Sequence, residues 1–226
     1  MRSGRYRQDV SPSTVFRFLK RFKQLCSPFK SCRSIFESVE AICPDTRVQS
    51  FDELKPNCCC QNHSVSKFSS GAVQNEEVLI RILVAPQHTR RGKPRASALT
   101  DAERRGLSVL RESKATDQEI FAVAEGLVKR ARSNNNDKAG VIGVLRMVCD
   151  TVRSCPCHQE GKPCYCVYDS ALEDTPSHAE AFQRVAGVTP EVMDKRRQDL
   201  FGLVKDQFVP VADFRDGLLT RLAPSE

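Results

Sequence analysis

The chain predicts an α+β fold, a small mixed β-sheet packed by helices, on three observations. Val78-Leu79-Ile80-Arg81-Ile82-Leu83-Val84 is a run of branched residues stopped by Pro86, as in a strand. Thr116-Asp117-Gln118-Glu119 is a capping box, followed by Ile120, Val123, Ala124, Leu127, Val128 and Ala131 at helical spacing. Strand and helix signals then alternate, which suits a layered arrangement. Hydrophobic residues make up 40% of the 226, enough for a core, and 28% are charged, so the chain as a whole is not of the disordered type. This length suits one domain, residues 76–226, preceded by a helical or poorly ordered extension, residues 1–75.

In the extension, Val15, Phe18, Leu19, Phe22, Leu25 and Cys26 recur at helical spacing, with Arg17, Lys20 and Arg21 on the other side and Pro28 as the stop. A basic amphipathic helix of this kind makes peripheral contact with an anionic membrane through residues 15–26, or docks on its own domain. Its arginines also suit an organelle transit segment, which Asp9 and the cysteines fit poorly. Residues 44–75 carry scattered Pro, Asn, Ser and Gly without a period and read as a linker. Within it Cys58-Cys59-Cys60 and His63 offer a metal or lipid attachment point without proper spacing.

The main domain opens with the strand at 78–84. A basic loop follows, with His88, Arg90, Arg91, Lys93 and Arg95 set around Gly92 and Pro94. Thr100-Asp101-Ala102-Glu103 is a second capping box, which Gly106 terminates. Residues 107–110 read as a short strand. The helix from Thr116 runs to about Arg132 and stops at Ser133-Asn134-Asn135-Asn136, with Lys129, Arg130 and Arg132 complementing its dipole. Residues 141–148 form a strand and 164–168 another. Thr175-Pro176 starts a short helix and Thr189-Pro190 a longer one, to about Lys205. Residues 211–222 close with a last helical turn.

Between the strands at 141–148 and 164–168 lies a symmetric set of cysteines. With a turn at Glu160-Gly161-Lys162, an antiparallel hairpin pairs Cys155 with Cys166 and Cys157 with Cys164, all four on one face. Three readings stay open. Four thiolates hold zinc, although CxC is not the usual knuckle spacing; or reduced cysteines pack as small apolar groups; or they form disulfides in an oxidising compartment. The 11 cysteines are an odd number and no secretory signal is visible, which favours a cytoplasmic location. No apolar run is long enough for a transmembrane segment.

The net charge of +7 favours an anionic partner such as nucleic acid or a nucleotide. Three places are candidates for chemistry. Arg90, Arg91, Lys93 and Arg95, with Arg104, Arg105 and Arg111, supply guanidinium and ammonium groups for phosphate, although no interleaved aromatics provide a stacking platform and solubility alone produces such loops. His88, Asp169 and His178 each sit past a strand or at a helix start; they suit a divalent metal, or a general base oriented by Asp169. The bland alternative is a capped turn in which Ser177 and Glu180 form the box and His178 faces solvent. Ser108 with Arg111 is a phosphate or nucleotide contact. No GxGxxG, P-loop, HExxH or GxSxG pattern occurs.

Pro86-Gln87-His88, Leu107-Ser108-Val109, Val167-Tyr168-Asp169 and Pro176-Ser177-His178-Ala179, in that order, resemble a group of small uncharacterised bacterial proteins over about half the chain. The resemblance implies a compact α+β domain and no activity. The cysteine-rich stretch and the residues before Glu76 lie outside it. Two function classes follow from the residues: a module binding nucleic acid or another polyanion through residues 88–95, or a hydrolase or transferase on a phosphate-containing substrate using His88, Asp169 and His178. A structural or protein-interaction role is the remaining alternative.

Overall fold

Strand β1 (Val78–Ala85) is apolar on both faces, so both must be covered, and this dictates the architecture. The computed structural model describes residues 31–42, 46–54, 60–90, 92–156 and 163–224. Helices α1 (Cys32–Ile42) and α2 (Arg47–Leu54) precede β1; a small hairpin, β2 (Thr89–Arg90) and β3 (Lys93–Pro94), follows it. Next come a 3₁₀ helix (Ala96–Glu103), β4 (Leu107–Arg111), α3 (Asp117–Ser133) and β5 (Gly140–Val148). The chain continues through the short α4 (Cys149–Arg153), β6 (Tyr165–Tyr168), β7 (His178–Gln183), α5 (Pro190–Val204) and β8 (Phe208–Pro210). Six strands form one sheet in the order β6-β7-β4-β1-β5-β8.

Every ladder of this sheet is antiparallel, where a mixed sheet was expected. Leu79 and Leu83 join Leu107, Val109 and Tyr165 in a core closed by Leu200 and Val204 of α5. Ile80, Ile82, Val84 and Leu110 point the other way, onto Ile120, Ala124 and Val128 of α3. Farther along that second face, Cys166, Tyr168 and Phe182 meet Ile35, Phe36 and Val39 of α1 and Val48 and Phe51 of α2. Centroids lie 5.1 Å apart for Phe51–Tyr168 and 5.7 Å for Phe36–Phe182. Burying aromatic side chains such as Phe36 and Phe51 contributes roughly 1.5–3 kcal/mol each, enough to dock these helices.

The expected boundary at residue 75 is therefore corrected: α1 and α2 build part of the core, and residues 47–54 are helix rather than linker. Cys60 is wholly buried and disulfide-bonded to Cys32, which ties α1 to the segment leading to the Ser64–Asp169 bridge. The amphipathic helix expected at 15–26, with its membrane contact, lies outside the described residues. No described helix is long and apolar enough to cross a membrane.

The cysteine hairpin is also corrected. Residues 149–153 are helical, and β6 pairs with β7 instead of with 155–157. Cys155 and Cys164 enter the core under α5, with the Cys164 thiol 3.3 Å from the Pro156 carbonyl, whereas Cys166 faces the aromatic cluster on the opposite side of the sheet. Cys166 is disulfide-bonded, and so is unavailable as a thiolate ligand. Cys157 lies outside the described residues. Among the described residues no group of three or more His, Cys, Asp or Glu could hold a metal ion, so the zinc expectation finds no site there. The reading of the cysteines as reduced packing groups is met at Cys155 and Cys164, and is not met at Cys32, Cys60 and Cys166, which are disulfide-bonded.

The expected short helix after Thr175-Pro176 is instead β7. His178, Glu180 and Phe182 alternate with Ala179 and Ala181, and both sets are buried. The last expected helical turn resolves into 3₁₀ turns at Arg215–Gly217 and Thr220–Leu222.

Candidate active site at a Ser–His pair

β4 and β7 pair in register with Ser108 opposite Glu180 and Leu110 opposite His178. Ser108, His178 and Glu180 thus share the sheet face that α3 covers from one side and α1 and α2 from the other. A cavity of about 690 Å³ lies between those helices, with these three residues as part of its floor. Glu40 and Arg47 line it from α1 and α2; Ala122, Val123, Gly126 and Leu127 line it from α3.

The start of β7 is pinned twice. The Arg111 N–H donates to the Ser177 carbonyl at 2.9 Å, and the Ser177 N–H donates to Glu119 Oε1 at 3.3 Å. Glu119 is itself held by the Thr116 capping box. From there the His178 ring spans two partners. Its Nδ1 lies 3.1 Å from the Ser170 carbonyl and 3.0 Å from Ser170 Oγ, and its Nε2 lies 2.8 Å from Ser108 Oγ. A carbonyl only accepts, so Nδ1 carries the proton, Nε2 is bare, and Ser108 donates to it. Burial lowers the His178 pKa to about 4, the Ser170 carbonyl opposes that shift, and Arg47 and Arg81 add to it. The imidazole is therefore an unprotonated base at neutral pH.

Guanidinium groups surround this pair. β1 and β4 are in register only at Leu79 and Ile80. Beyond that point Arg81, 4% exposed, donates to the Ser108 carbonyl at 3.0 Å and to Asp101 Oδ2 at 2.7 Å. Arg47 donates to Glu180 Oε1 and, at 3.0 Å, to Glu40 Oε1, while its guanidinium stacks 5.2 Å from the Phe36 ring and 5.3 Å from the Phe182 ring. Gly106, at φ +95°, admits this arrangement: a Cβ there would strike Phe182 and lie 2.7 Å from Arg47 Nη2.

Some expected partners come together and others do not. His88 and His178 do line the same cavity, and Arg105 and Ser108 line it with them. His88 differs from His178 in its partner: its Nδ1 accepts the Val84 N–H at 3.1 Å, where His178 Nε2 meets Ser108 Oγ; burial, with Arg81 nearby, lowers its pKa to about 4, as at His178. Asp169 does not line the cavity. It is fully buried, accepts from Ser69 Oγ and lies 3.7 Å from Arg111 Nη1; burial raises its pKa against the pull of Arg111. The orienting role expected of Asp169 falls to the Ser170 carbonyl. Arg111 is corrected as a phosphate contact: it is 1% exposed and bound to Glu77 and to the Gly71 and Ala72 carbonyls.

Of the basic loop, Arg90 and Lys93 are exposed on the β2–β3 hairpin, and Arg91 lies outside the described residues. Arg95 is exposed but donates to the Gln87 carbonyl and Ser97 Oγ. Arg104 and Arg105 are exposed beside the 3₁₀ helix. Sequence reasoning missed Arg47, Arg81, Ser170 and Glu180. Only Arg81, a charge inside an apolar strand, left a local signal.

No family model, no curated protein and no solved structure matches this chain.

Proposed function

We propose that the protein is a hydrolase or transferase in which Ser108 is the nucleophile and His178 its general base. The observation that carries this is the 2.8 Å contact between Ser108 Oγ and His178 Nε2, with Nδ1 oriented by Ser170, on the floor of a cavity. A nucleophile within reach of a base that a third group orients is the recurring arrangement of covalent catalysis, whatever the surrounding sequence motif. Ser108 attacks an electrophilic carbonyl or phosphoryl centre, and its proton passes to His178 Nε2. The Ser170 carbonyl supports the imidazolium so formed. Arg47 and Arg81, both close enough to depress the basicity of His178, favour the negative charge that develops on the electrophile's oxygen. That charge in turn makes His178 a stronger base during the reaction. The phosphate-containing substrate expected from the sequence belongs to this reading as one of its two electrophile classes.

A fluorophosphonate probe tests the proposal directly. Peptide mapping should find the adduct on Ser108, and both Ser108→Ala and His178→Gln should abolish it without loss of the cooperative melt. Folded natural protein that takes no label would overturn the assignment.

A second reading has its own support. Arg90 and Lys93 pair in the hairpin that follows His88 and are both exposed, a position from which a polyanion can be met. Binding of mixed-sequence RNA that weakens steeply with salt and is lost in Arg90→Ala/Lys93→Ala would favour it. Salt-independent or absent binding would remove it.

A further inference from the structure

The α3 wall of the cavity that holds Ser108 and His178 carries an exposed glycine. Gly126 sits in the middle of α3, where glycine is a poorer helix former than alanine. At Gly126 an added Cβ meets nothing within 4 Å, as at the other helical glycine Gly202, whereas at Gly106 and Gly140 it strikes other groups; of these two helical glycines only Gly126 lines the cavity. The open space in front of Gly126 belongs to the cavity, and Ala122, one turn earlier on the same side of the helix, lines that cavity too. Val123 and Leu127 flank them, and Leu172, 43% exposed, stands at the same cavity. The wall is therefore low and apolar at its Ala122–Gly126 end, where both residues are exposed, and turns polar at Arg130 and Asn134 farther along the helix.

The floor is polar but its charges are already matched. Arg47 is paired with Glu40 and Glu180, and Arg81 with Asp101. The arginines and the carboxylates that line the cavity are equal in number. A phosphate dianion held by Arg47 or Arg81 would have to break one of these buried pairs, and a neutral group would not; the other two arginines of the lining, Arg105 and Arg130, are exposed.

We infer that the substrate is a neutral carboxylic ester or thioester whose slender apolar arm lies along Ala122 and Gly126 with its carbonyl carbon at Ser108, and that Gly126 sets the width of arm accepted. This rests on the Ser108–His178 reading. Ser108 Oγ bonds to the carbonyl carbon as its proton moves to His178 Nε2. The bond from that carbon to the leaving oxygen or sulfur breaks, and the leaving group takes the proton from Nε2. Water then adds to the acyl-serine and gives a proton to His178. The Ser108 Oγ–carbon bond breaks and Oγ recovers the proton, releasing the carboxylic acid.

The experiment compares hydrolysis of 4-nitrophenyl acetate, butyrate and phosphate by the full-length protein and by Gly126→Leu, alongside fluorophosphonate labelling of Ser108. The natural protein should turn over both esters and not the phosphate. Because the new side chain enters open space and leucine is the better helix former, Gly126→Leu should melt no lower than the natural protein. It should lose about tenfold in kcat/KM on the butyrate while the acetate changes by less than about twofold, the discrimination a hydrophobic pocket gives for one or two methylenes. Ser108 labelling should persist. An equal fractional change on butyrate and acetate in Gly126→Leu, or faster turnover of the phosphate, would overturn this inference while labelling leaves the Ser–His assignment standing. Loss of labelling in the natural protein removes both.

Discussion

Arg111 and Glu77 form a bidentate ion pair, with Nε and Nη2 at 2.7 and 2.6 Å from the two carboxylate oxygens. It joins the end of β4 to the turn before β1. The remaining guanidinium donors reach the Gly71 and Ala72 carbonyls at 2.6 and 3.2 Å, so one buried side chain ties down the whole segment leading into the sheet. Burial opposes the Glu77 charge, but the bond and charge of Arg111, the Gln74 N–H and the Lys114 charge together outweigh it and leave the Glu77 pKa lowered. Arg111→Ala strands a carboxylate and two carbonyls at once and should destabilise the protein by roughly 3–5 kcal/mol. Urea denaturation measures this; a loss below about 1 kcal/mol, the range of exposed pairs, would contradict it.

Two glycines lining one cavity should respond to alanine with opposite signs. Gly106 has φ +95° and faces Phe182, Arg47 and Glu180 at clash distance, so Gly106→Ala should cost roughly 2–4 kcal/mol through backbone strain and overpacking together. Gly126→Ala, on a helix with open space before it, should stabilise by about 0.5–1 kcal/mol. Thermal melts of the two variants side by side decide the point. Shifts in the same direction would show that one of the two environments is misread.

The same contrast separates what was legible in the sequence from what was not. β1 and α3 were legible because their signals are local: a branched run ended by Pro86, and a capping box with apolar residues every three or four positions. β7 was misread because Thr175-Pro176-Ser177 followed by Glu180 mimics a helix start. Its period-two alternation, His178-Glu180-Phe182 against Ala179-Ala181, is masked when both faces are buried and one is partly polar. The segment of α1 matched no expected element although Ile35, Phe36 and Val39 sit at helical spacing, and α2 was lost within the aperiodic stretch 44–75 that reads as a linker. Ser108 and His178 were each singled out, but in different candidate sites. Nothing local joins residues 70 apart; their pairing follows from the β4–β7 register, which only the folded sheet fixes.

Acid should unfold this protein earlier than its carboxylates alone require. Burial, helped by Arg81 at His88 and by Arg47 and Arg81 at His178, lowers both pKa values from 6.5 to about 4, against Asp101 at His88 and against the Ser170 carbonyl and Asp174 at His178. Between those values the unfolded chain binds protons that the folded chain refuses. The stabilisation is thus complete above pH 6.5 and is lost as pH falls through 4, on the order of 3 kcal/mol for each fully shifted histidine. Urea midpoints at pH 7.0 and 4.5 should differ strongly. His88→Gln, which retains a group able to accept the Val84 N–H, should shrink that difference, and an unchanged pH slope in the variant would sink the assignment.

Arg47 and Glu180 join α2 to β7 across the cavity wall, and neither is free to find water instead. Arg47 is 7% and Glu180 5% exposed, and the guanidinium is held between Phe36 and Phe182. Burial lowers the Arg47 pKa and Glu40 works against that loss. Arg47→Met keeps much of the stem packing and removes the charge, so its cost isolates the stranded Glu180 carboxylate and should reach roughly 3–5 kcal/mol. Glu180→Gln in the natural background also costs, because it leaves a buried guanidinium with only the exposed Glu40 as counter-ion. In the double variant neither charge remains. Its destabilisation should fall short of the sum of the two singles by roughly 1–3 kcal/mol, the range for residues in direct contact. Strict additivity would mean that α2 is held by its aromatic packing alone and that the ion pair contributes nothing to closing this wall.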